Sequence, residues 1–372
     1  MTTLNQTLRG VVTVARRRGP SYFAYLAHGV VWPRASYELS WGPRAAAIAQ
    51  GLFAAVADWS GEQVSPETLA AAGLLALPDA AVAGPVAVRE LEALMDAAHR
   101  QGITGLDRAF GRLKRGDEGA LRFADLAGAR RYRPGSVRFL AARDRDRLAF
   151  NARFGTSLLT EAAARRAIRK HREAVPEGYR NYAPIDFGGG LTVGQIASTD
   201  SGTGRWDVFN AEVVAPLVHG RRVLDLGSNN GSLPLMMLRA GAARVVGIEG
   251  TPAIADFARS NARILAWRDI RRYDVEILTG DMRVFLSGDL GPFDVVTAFC
   301  SLYYLPEPDM ARVIAKASAM GAVLILQAND AIDNLPAKRG DLHGLMRDNG
   351  YSNITVYAPP GFTRPLLVGW PA

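Results

Sequence analysis

The stretch VLDLGSNNGSL, Val223–Leu233, decides how this chain of 372 residues folds. An apolar run that ends near Asp225 leads into a turn that contains Gly227 and Gly231, and a helical pattern begins at about Ser232. Glycine lets a backbone turn sharply and lie close to a ligand that a Cβ would repel. The first N–H groups of a helix are free to donate hydrogen bonds. The stretch therefore predicts a buried strand, a ligand-binding turn and a helix.

Beyond about residue 175, short β-branched runs alternate with segments of helical length. The predicted strands are Arg222–Leu226, Arg244–Ile248, Asp274–Leu278, Asp294–Phe299, Ala322–Leu326, Asn353–Tyr357 and Leu366–Gly369. Helix-length connections between the first five predict right-handed crossovers and a parallel sheet. The last two are joined by a segment around Ala358–Gly361 that is too short for a crossover, so we expect them to pair antiparallel. The fold class is therefore α/β, with five parallel strands and a C-terminal antiparallel hairpin.

Residues 1–175 form a second predicted domain, mainly helical and basic, and residues 176–372 form the sheet domain. The predicted helices are Pro43–Trp59, a helix that starts at Ser65-Pro66-Glu67, Val86–Arg100 and Leu159–Arg172. Ser65 is suited to cap its helix because Pro66 fits the first helical position and Glu67 the first turn. Val175–Gly178 is the predicted linker between the two domains.

The charge of the chain is unevenly distributed. Residues 1–175 hold 26 Arg and Lys against 16 Asp and Glu, whereas the remainder holds 18 against 20, so the first half favours an anionic partner. The alternative is compositional bias, because all but four of the basic residues are Arg.

A single cysteine excludes a disulfide within the chain, and no His/Cys cluster predicts a metal. The longest apolar run, Tyr22–Trp32, is too short to span a bilayer. The chain is therefore expected to be cytoplasmic.

The turn can be matched to two classes of ligand. A dinucleotide favours G-x-G-x-x-G, but the turn reads G-S-N-N-G and the preceding acid would repel a pyrophosphate. A nucleoside that carries an amino acid fits better, because Asp225 suits its amine. Glu249, which ends the next strand in RVVGIEG, suits the ribose hydroxyls. Asp281 and Met282, in LTGDM after the third strand, suit the adenine amine and ring face.

This ordered set of residues resembles the class I S-adenosylmethionine-dependent methyltransferases over about Arg221–Trp370. The resemblance implies a Rossmann-like seven-stranded methyltransferase sheet, S-adenosyl-L-methionine as the cofactor and a transferase activity. The cofactor contacts that it implies are Asp225, Gly227, Ser228, Asn229, Gly231, Glu249, Gly250, Asp281, Met282 and Phe299. Of these, Asn229 departs from the family pattern, since many members have glycine there.

A finer similarity concerns the lead-in to the first strand, which is NYAPIDFGGGLTVG (Asn181–Gly194) and GRWDVFNAEVV from Gly204, together with the segments GAARVVGIEGTP and SLYYL. Their arrangement looks like the subgroup that carboxymethylates a wobble uridine of transfer RNA. That subgroup grips the extra carboxylate of its cofactor with a lysine in the lead-in and an arginine near the end. No lysine lies between Lys170 and Lys316, so Arg205 or Arg364 would have to substitute. Plain methyl transfer is therefore the preferred expectation.

Candidate catalytic residues follow the fourth strand, in DVVTAFCSLYYLPEP, Asp294–Pro308. The resemblance places this strand end beside the sulfonium, so Tyr303 and Tyr304 either line an acceptor pocket or begin a packed helix. A hydroxyl acceptor needs a base with a pKa near 7. The candidate bases are His343, Tyr303, Tyr304, Asp330 and, from the first half, His28 or His171. For His343, a surface helix position is the alternative.

The function expected first is methyl transfer to an oxygen or nitrogen of a small-molecule or sugar acceptor, with residues 1–175 supplying an acceptor pocket, a lid or a homodimer surface. An RNA-modifying enzyme, in which the Arg-rich segments Ala129–Arg147 and Arg165–Arg172 contact phosphates, is an alternative. Another is a surface-glycolipid methyltransferase, with Leu8–Arg34 as a peripheral membrane contact. A cofactor-binding scaffold without turnover is a non-enzymatic alternative.

Overall fold

The computed structural model describes residues 62–76, 80–82, 87–116, 119–126, 128–177, 184–188, 190–194, 210–358 and 363–371. The predicted helix Pro43–Trp59 and the basic segment Leu8–Arg34 lie outside these residues, as does Arg205. The chain divides into two compact units. The N-terminal unit comprises Met1–Arg166, Asp186–Thr192 and Trp267–Ile270, and the sheet unit comprises Ala167–Ile185, Val193–Ala266 and Arg271–Ala372. The domain boundary predicted at residue 175 stays a prediction.

The described elements up to residue 193 are mostly helical by length, with short strands between the helices. They are β1 Glu62–Gln63, α1 Pro66–Ala71, β2 Ala81–Val82, α2 Val88–Arg100, β3 Ile103–Thr104, β4 Leu113–Arg115, β5 Leu121–Phe123, β6 Arg130–Arg131, α3 Val137–Phe154, α4 Glu161–Ala174, β7 Ile185–Asp186 and β8 Thr192–Val193. The strands β1, β6 and β3 form one antiparallel sheet, and β2, β4 and β5 form another. None of these strands was expected from the sequence, because two or three residues are too few to show an alternating pattern.

The helix starts and stops in the N-terminal unit follow from local chemistry. The Ser65 hydroxyl accepts a hydrogen bond from the Thr68 N–H at 3.2 Å, which confirms the predicted start of α1. Gly102 follows α2 with φ of +78°, and a Cβ there would lie 2.1 Å from the Tyr132 carbonyl oxygen. Glycine is therefore the residue that this turn accommodates.

The helix α3 is absent from the sequence-based prediction and changes how the Arg-rich segment is interpreted. Arg143 is fully buried, and its guanidinium donates to the Trp267 carbonyl oxygen at 3.1 Å and stacks 4.2 Å from the Trp267 ring centroid. Arg147 is also buried and pairs with Asp96 at 3.1 Å. Burial lowers the pKa of Arg143 to about 9. The expectation that the Arg-rich segment Ala129–Arg147 contacts the phosphates of a nucleic acid is therefore wrong for Arg143 and Arg147, because their side chains are buried in the protein interior.

A buried carboxylate, Asp146 of α3, joins α2 to the chain after β3. Its oxygens accept the Leu106 N–H at 2.8 Å and the Gly105 N–H at 3.0 Å. They also lie 3.1 Å from Nε2 of His99, whose side chain is fully buried. Burial lowers the pKa of His99, so the neutral ring donates its Nε2–H to the carboxylate. Asp146 therefore satisfies backbone groups that would otherwise be buried without partners.

The sheet unit contains the longer strands, and all seven predicted strands are present within one residue at either end. Its elements are a short π-helix Asn210–Val214, α5 Ala215–Val218, β9 Arg222–Leu226, α6 Ser232–Arg239, β10 Arg244–Glu249, α7 Pro252–Asp269, β11 Val275–Thr279, α8 Val284–Ser287, β12 Val295–Phe299, a 3₁₀ helix Leu302–Tyr304, α9 Glu307–Ala319, β13 Val323–Gln327, α10 Arg339–Asp348, β14 Asn353–Tyr357 and β15 Leu366–Trp370. Along the described residues, no helix is both long enough and apolar enough to cross a membrane.

The strand order in this sheet is β11-β10-β9-β12-β13-β15-β14. The strands β9 to β13 pair in parallel, β15 pairs antiparallel with β13, and β14 pairs antiparallel with β15. The predicted α/β fold with a C-terminal hairpin is thus confirmed. The direction of the strand order reverses between β9 and β12, and ligands of such sheets bind beyond the carboxyl ends of the strands at that point.

We predict that Asp146→Ala destabilises the N-terminal unit by about 3 kcal/mol, because two backbone N–H groups and His99 lose a buried partner. Amide hydrogen exchange at Gly105 and Leu106, together with urea unfolding, measures the effect. Asp107→Ala, at an exposed carboxylate one residue beyond this loop, is the control and should change the unfolding free energy little. Equal effects of the two substitutions would contradict the account.

Candidate cofactor site

The turn after β9 holds three residues in the left-handed region of φ. Gly227 has φ of +78°, Asn229 of +50° and Gly231 of +85°. Asparagine tolerates this region better than other residues with a Cβ. The Asn229 side-chain oxygen also accepts the Asn230 N–H at 2.7 Å, which favours the bent conformation. The departure from glycine at Asn229 is therefore compatible with the turn.

The two glycines of the turn lie against neighbouring protein atoms. A Cβ at Gly227 would be 2.5 Å from the Ser301 Cβ, which real side chains do not approach. A Cβ at Gly231 would be 3.3 Å from the Ala258 Cβ of α7. From the sequence, these glycines are expected to allow close approach of a ligand. In the structure, Ser301 also excludes a Cβ at Gly227, and Ala258 leaves little room for one at Gly231.

Asp225 lies at the end of β9 with 2% of its surface exposed. Its carboxylate accepts a hydrogen bond of 2.6 Å from the hydroxyl of Thr297, which is its register neighbour on β12. Burial raises the pKa of Asp225 to about 7; the Thr297 hydrogen bond opposes this shift, and the carboxylate of Glu249 adds to it. A buried carboxylate with this environment favours a cationic ligand group, which would lower its pKa again.

Glu249 ends β10 and is also buried. Its Oε2 accepts the Asn229 N–H at 3.0 Å and its Oε1 accepts the Thr251 N–H at 2.8 Å. The carboxylate therefore joins the turn after β9 to the start of α7. Because each oxygen has a second lone pair, Glu249 can still accept hydrogen bonds from ligand hydroxyls.

The third strand end carries Asp281 and Met282 after β11. A Cβ at Gly227 would lie 3.9 Å from the Met282 sulfur, so the thioether reaches the turn. Arg283 donates to both Asp281 oxygens, from its backbone N–H at 2.8 Å and from its guanidinium at 2.9 and 3.1 Å. The hydrogen bonds from Arg283 hold the pKa of Asp281 below its usual range. About half of the Asp281 side chain remains exposed, and Gly250, on the loop after β10, is exposed as well.

The two candidate tyrosines after β12 have different environments. Tyr303 is 2% exposed, and burial raises the pKa of its hydroxyl, with Cys300 adding to the shift. Tyr304 is 66% exposed, with its ring centroid 5.0 Å from that of Tyr303. Phe299, the last residue of β12, is buried. The structure thus presents one tyrosine to solvent and encloses the other.

His343 is half-buried on α10 and forms no hydrogen bond or ion pair with another described residue. Its assignment as a base stays a prediction, without a contact that links it to the strand ends.

Several residues that shape this site were missed by sequence reasoning. Thr297 holds Asp225, and a polar residue inside the buried run DVVTAF was the signal for it. Gly247 lies inside β10, where a Cβ would lie 2.8 Å from the side chain of Ser228 in the turn. A glycine inside a strand pattern is typical of such a close approach. Ser301, whose hydroxyl donates to the Leu226 carbonyl oxygen at 2.5 Å, carried no sequence signal.

Residues 223–321 match the sequence model of the family described as "Methyltransferase domain". The chain is also similar to the ribosomal protein L11 methyltransferase of Deinococcus radiodurans, with 33% identity over 107 residues. That match covers 29% of this chain, and it spans only 38% of the length of the relative.

Solved structures resemble the chain more weakly. Magnesium protoporphyrin IX methyltransferase from Synechocystis PCC 6803, with bound S-adenosylmethionine, has 22% identity and a TM-score of 0.34 over 43% of this chain and 76% of its own. The N-terminal domain of EvdMO1, in the presence of S-adenosylhomocysteine and D-fucose, has 19% identity and a TM-score of 0.40 over 58% of this chain and 100% of its own. TM-scores below 0.5 support no further statement about this chain.

Residues 223–321 are thus a methyltransferase domain, and the resemblance to the class I S-adenosylmethionine-dependent methyltransferases is confirmed. The match to a methyltransferase domain supports the expected cofactor, S-adenosyl-L-methionine. The finer similarity to the transfer RNA carboxymethyltransferase subgroup is not shown by these matches.

We predict that Asp225 makes the stability of the ligand-free protein fall as pH rises. Its pKa is about 7 in the folded state and about 3.9 in an unfolded chain, so the folded state binds the proton more tightly. Its contribution to stability is highest below about pH 4 and declines until about pH 7. Urea unfolding of wild type and Asp225→Asn between pH 4 and 8 measures it.

Asp225→Asn should remove much of this decline, whereas Asp274→Asn, at an exposed carboxylate of the same unit, should leave it unchanged. The same pH dependence in wild type and Asp225→Asn would show that Asp225 does not titrate in this range.

Proposed function

We propose that this protein transfers a methyl group from S-adenosylmethionine to an oxygen or nitrogen of a small-molecule or sugar acceptor. The observation that carries the proposal is the buried pair of acids, Asp225 and Glu249, on either side of the left-handed turn Gly227–Gly231. This arrangement lies within the methyltransferase domain and at the reversal of strand order.

The residues of the site fit the cofactor part by part. Asp225, buried and with a raised pKa, is suited to the ammonium group of the methionine moiety. Glu249 has unused lone pairs for the ribose hydroxyls, and the Ser228 hydroxyl is buried without a hydrogen-bond partner among the described residues. Asp281 and the Met282 thioether are assigned to the adenine amine and ring. When bound, the cofactor supplies a methyl group on a positively charged sulfur.

The chain's main task in the reaction is to align the acceptor, since displacement at a methyl group requires an in-line approach. Tyr304 is assigned to acceptor contact because its exposed ring follows β12 at the carboxyl edge of the sheet. Tyr303 is assigned to the wall behind it, since its raised pKa keeps the hydroxyl protonated. Tyr303 is thereby a poor candidate for a general base.

An RNA-modifying enzyme remains the second candidate, supported by the exposed Arg130 and Arg131 of β6 and the exposed Arg133 after it. The buried Arg143 and Arg147 reduce the basic surface that this candidate can use. Two further proposals rest on the sequence alone. One is a contact of Leu8–Arg34 with a membrane, and the other is a homodimer.

We predict that Asp225→Asn and Glu249→Gln each weaken S-adenosylmethionine binding at least about tenfold, or about 1.4 kcal/mol, because each removes a charged acceptor from the ligand. Isothermal titration calorimetry at pH 8 measures the dissociation constants. Glu276→Gln is the control, since Glu276 is an exposed acid of β11 that pairs with Arg244 at 2.8 Å. Wild-type affinity in both site variants would remove the basis of the proposal.

We predict the outcome of an assay with S-adenosylmethionine that carries a tritiated methyl group. The label should enter small molecules from a panel of phenols, amines and sugar nucleotides, and it should not enter bulk transfer RNA. On the acceptor so found, Tyr304→Ala should reduce the rate by up to about tenfold through loss of ring contact. Tyr303→Phe should have a smaller effect. Val356→Ala removes another exposed apolar side chain and serves as the control. Label that enters transfer RNA alone would favour the second candidate.

A further inference from the structure

Asn261 of α7 is an amide at a fully buried helix position. Asparagine is unfavourable in helix interiors, and a buried amide costs free energy unless it is hydrogen-bonded. Its Nδ2 donates to the Asn230 carbonyl oxygen at 2.9 Å, whereas its Oδ1 is buried without a partner among the described residues. Asn261 therefore keeps its hydrogen bond to the Asn230 carbonyl oxygen although its own Oδ1 is left unsatisfied. This cost indicates that the hydrogen bond has a role in the protein.

The Asn230 carbonyl lies just outside helix α6. Gly231 is the N-cap of α6, and its carbonyl accepts the first helical N–H, that of Leu235, at 2.9 Å. Asn230 precedes this N-cap, and the residue four positions after it, Pro234, has no N–H to donate. Asn230 is itself buried, with 2% exposed. Asn261 therefore reaches its carbonyl from another element, α7.

A second contact from the same helix reaches the next residue of the turn. Ala258 precedes Asn261 by three residues and therefore lies on the same face of α7. A Cβ at Gly231 would come within 3.3 Å of the Ala258 Cβ, so the turn lies close against this face. Helix α7 thus holds Asn230 through a hydrogen bond and Gly231 through packing.

The turn is held from its other side by Glu249, through the Asn229 N–H. Three consecutive residues, Asn229, Asn230 and Gly231, are therefore fixed by groups outside the turn. This matters because two of the three, Asn229 and Gly231, have left-handed φ values that the chain adopts only when its surroundings favour them.

We propose that Asn261 is a positioning residue for the cofactor turn. It fixes the Asn230 carbonyl and so holds Gly227–Gly231 in the conformation that receives the cofactor. This inference rests on the proposed function, because the turn is taken as the cofactor site. Loss of the Asn261 contact should weaken cofactor binding by loosening the turn in the ligand-free protein.

Asn261→Leu is the informative substitution. Leucine has the same branching and the same number of side-chain heavy atoms, and it removes the Nδ2 donor together with the unsatisfied Oδ1, so the loss of overall stability is partly offset. Tyr351→Phe is the matched control within the same unit, since the Tyr351 hydroxyl also donates to a backbone carbonyl oxygen, that of Ala322, at 2.9 Å from a fully buried side chain.

The test measures S-adenosylhomocysteine binding by calorimetry, urea unfolding, and hydrogen exchange of the ligand-free turn amides. We expect Asn261→Leu to weaken S-adenosylhomocysteine binding about tenfold and to speed exchange at residues 228–232. Tyr351→Phe should lower the unfolding midpoint but change the binding less than twofold and leave the turn amides unchanged.

Two outcomes would overturn the inference while leaving the proposed function in place: Asn261→Leu binding as wild type does, or Tyr351→Phe weakening binding as much. A folded wild type that binds no S-adenosylhomocysteine would instead contradict the proposed function. In that case exchange at residues 228–232 still tells whether Asn261 fixes the turn, and unchanged exchange in Asn261→Leu would overturn that step too.

Discussion

The hydrogen bonds of the Glu249 carboxylate are the interaction on which the site depends. One oxygen accepts from Asn229 in the turn after β9, and the other accepts from Thr251 at the start of α7. Because β9 and β10 are parallel neighbours, their carboxyl ends meet, and a single buried side chain can reach both loops. The left-handed Asn229, whose N–H would otherwise lack this partner, is thereby held in place.

The same site contains a feature that lowers the free energy of unfolding, and the rest of the sheet must offset it. Asp225 is buried beside a second carboxylate, and its hydrogen bond from Thr297 compensates only in part, so its pKa remains raised. A buried carboxylate of this kind lowers the stability of the ligand-free protein at neutral pH. Features that violate the rules of a stable core are concentrated at functional sites. The buried apolar strands β9, β12 and β13 supply the stability that permits it.

The sheet could be predicted from the sequence because its strands are continuous apolar runs separated by segments of helical length. β9 was predicted at its observed bounds, and the C-terminal hairpin followed from the short connection before Leu366. The helix α3 was missed for a physical reason. Its inward-facing side chains include Arg143, Asp146 and Arg147, so the apolar period of a helix is not visible in its sequence.

The acids of the site could also be predicted, since each follows a strand, but their partners could not. Thr297 is 72 residues from Asp225 and Asn261 is 31 residues from Asn230, so these contacts depend on the assembled sheet. The exposure of Tyr304 and the burial of Tyr303 were equally invisible, since adjacent residues of the same type differ only through the packing around them.

If the cofactor occupies the turn between Asp225 and Glu249, a crystal structure of the protein with S-adenosylhomocysteine will show the ligand there. We expect the amino group of the ligand near the Asp225 carboxylate, its ribose hydroxyls on Glu249 and its adenine beside Met282. Ligand density elsewhere in the protein, or a ribose that does not contact Glu249, would contradict it.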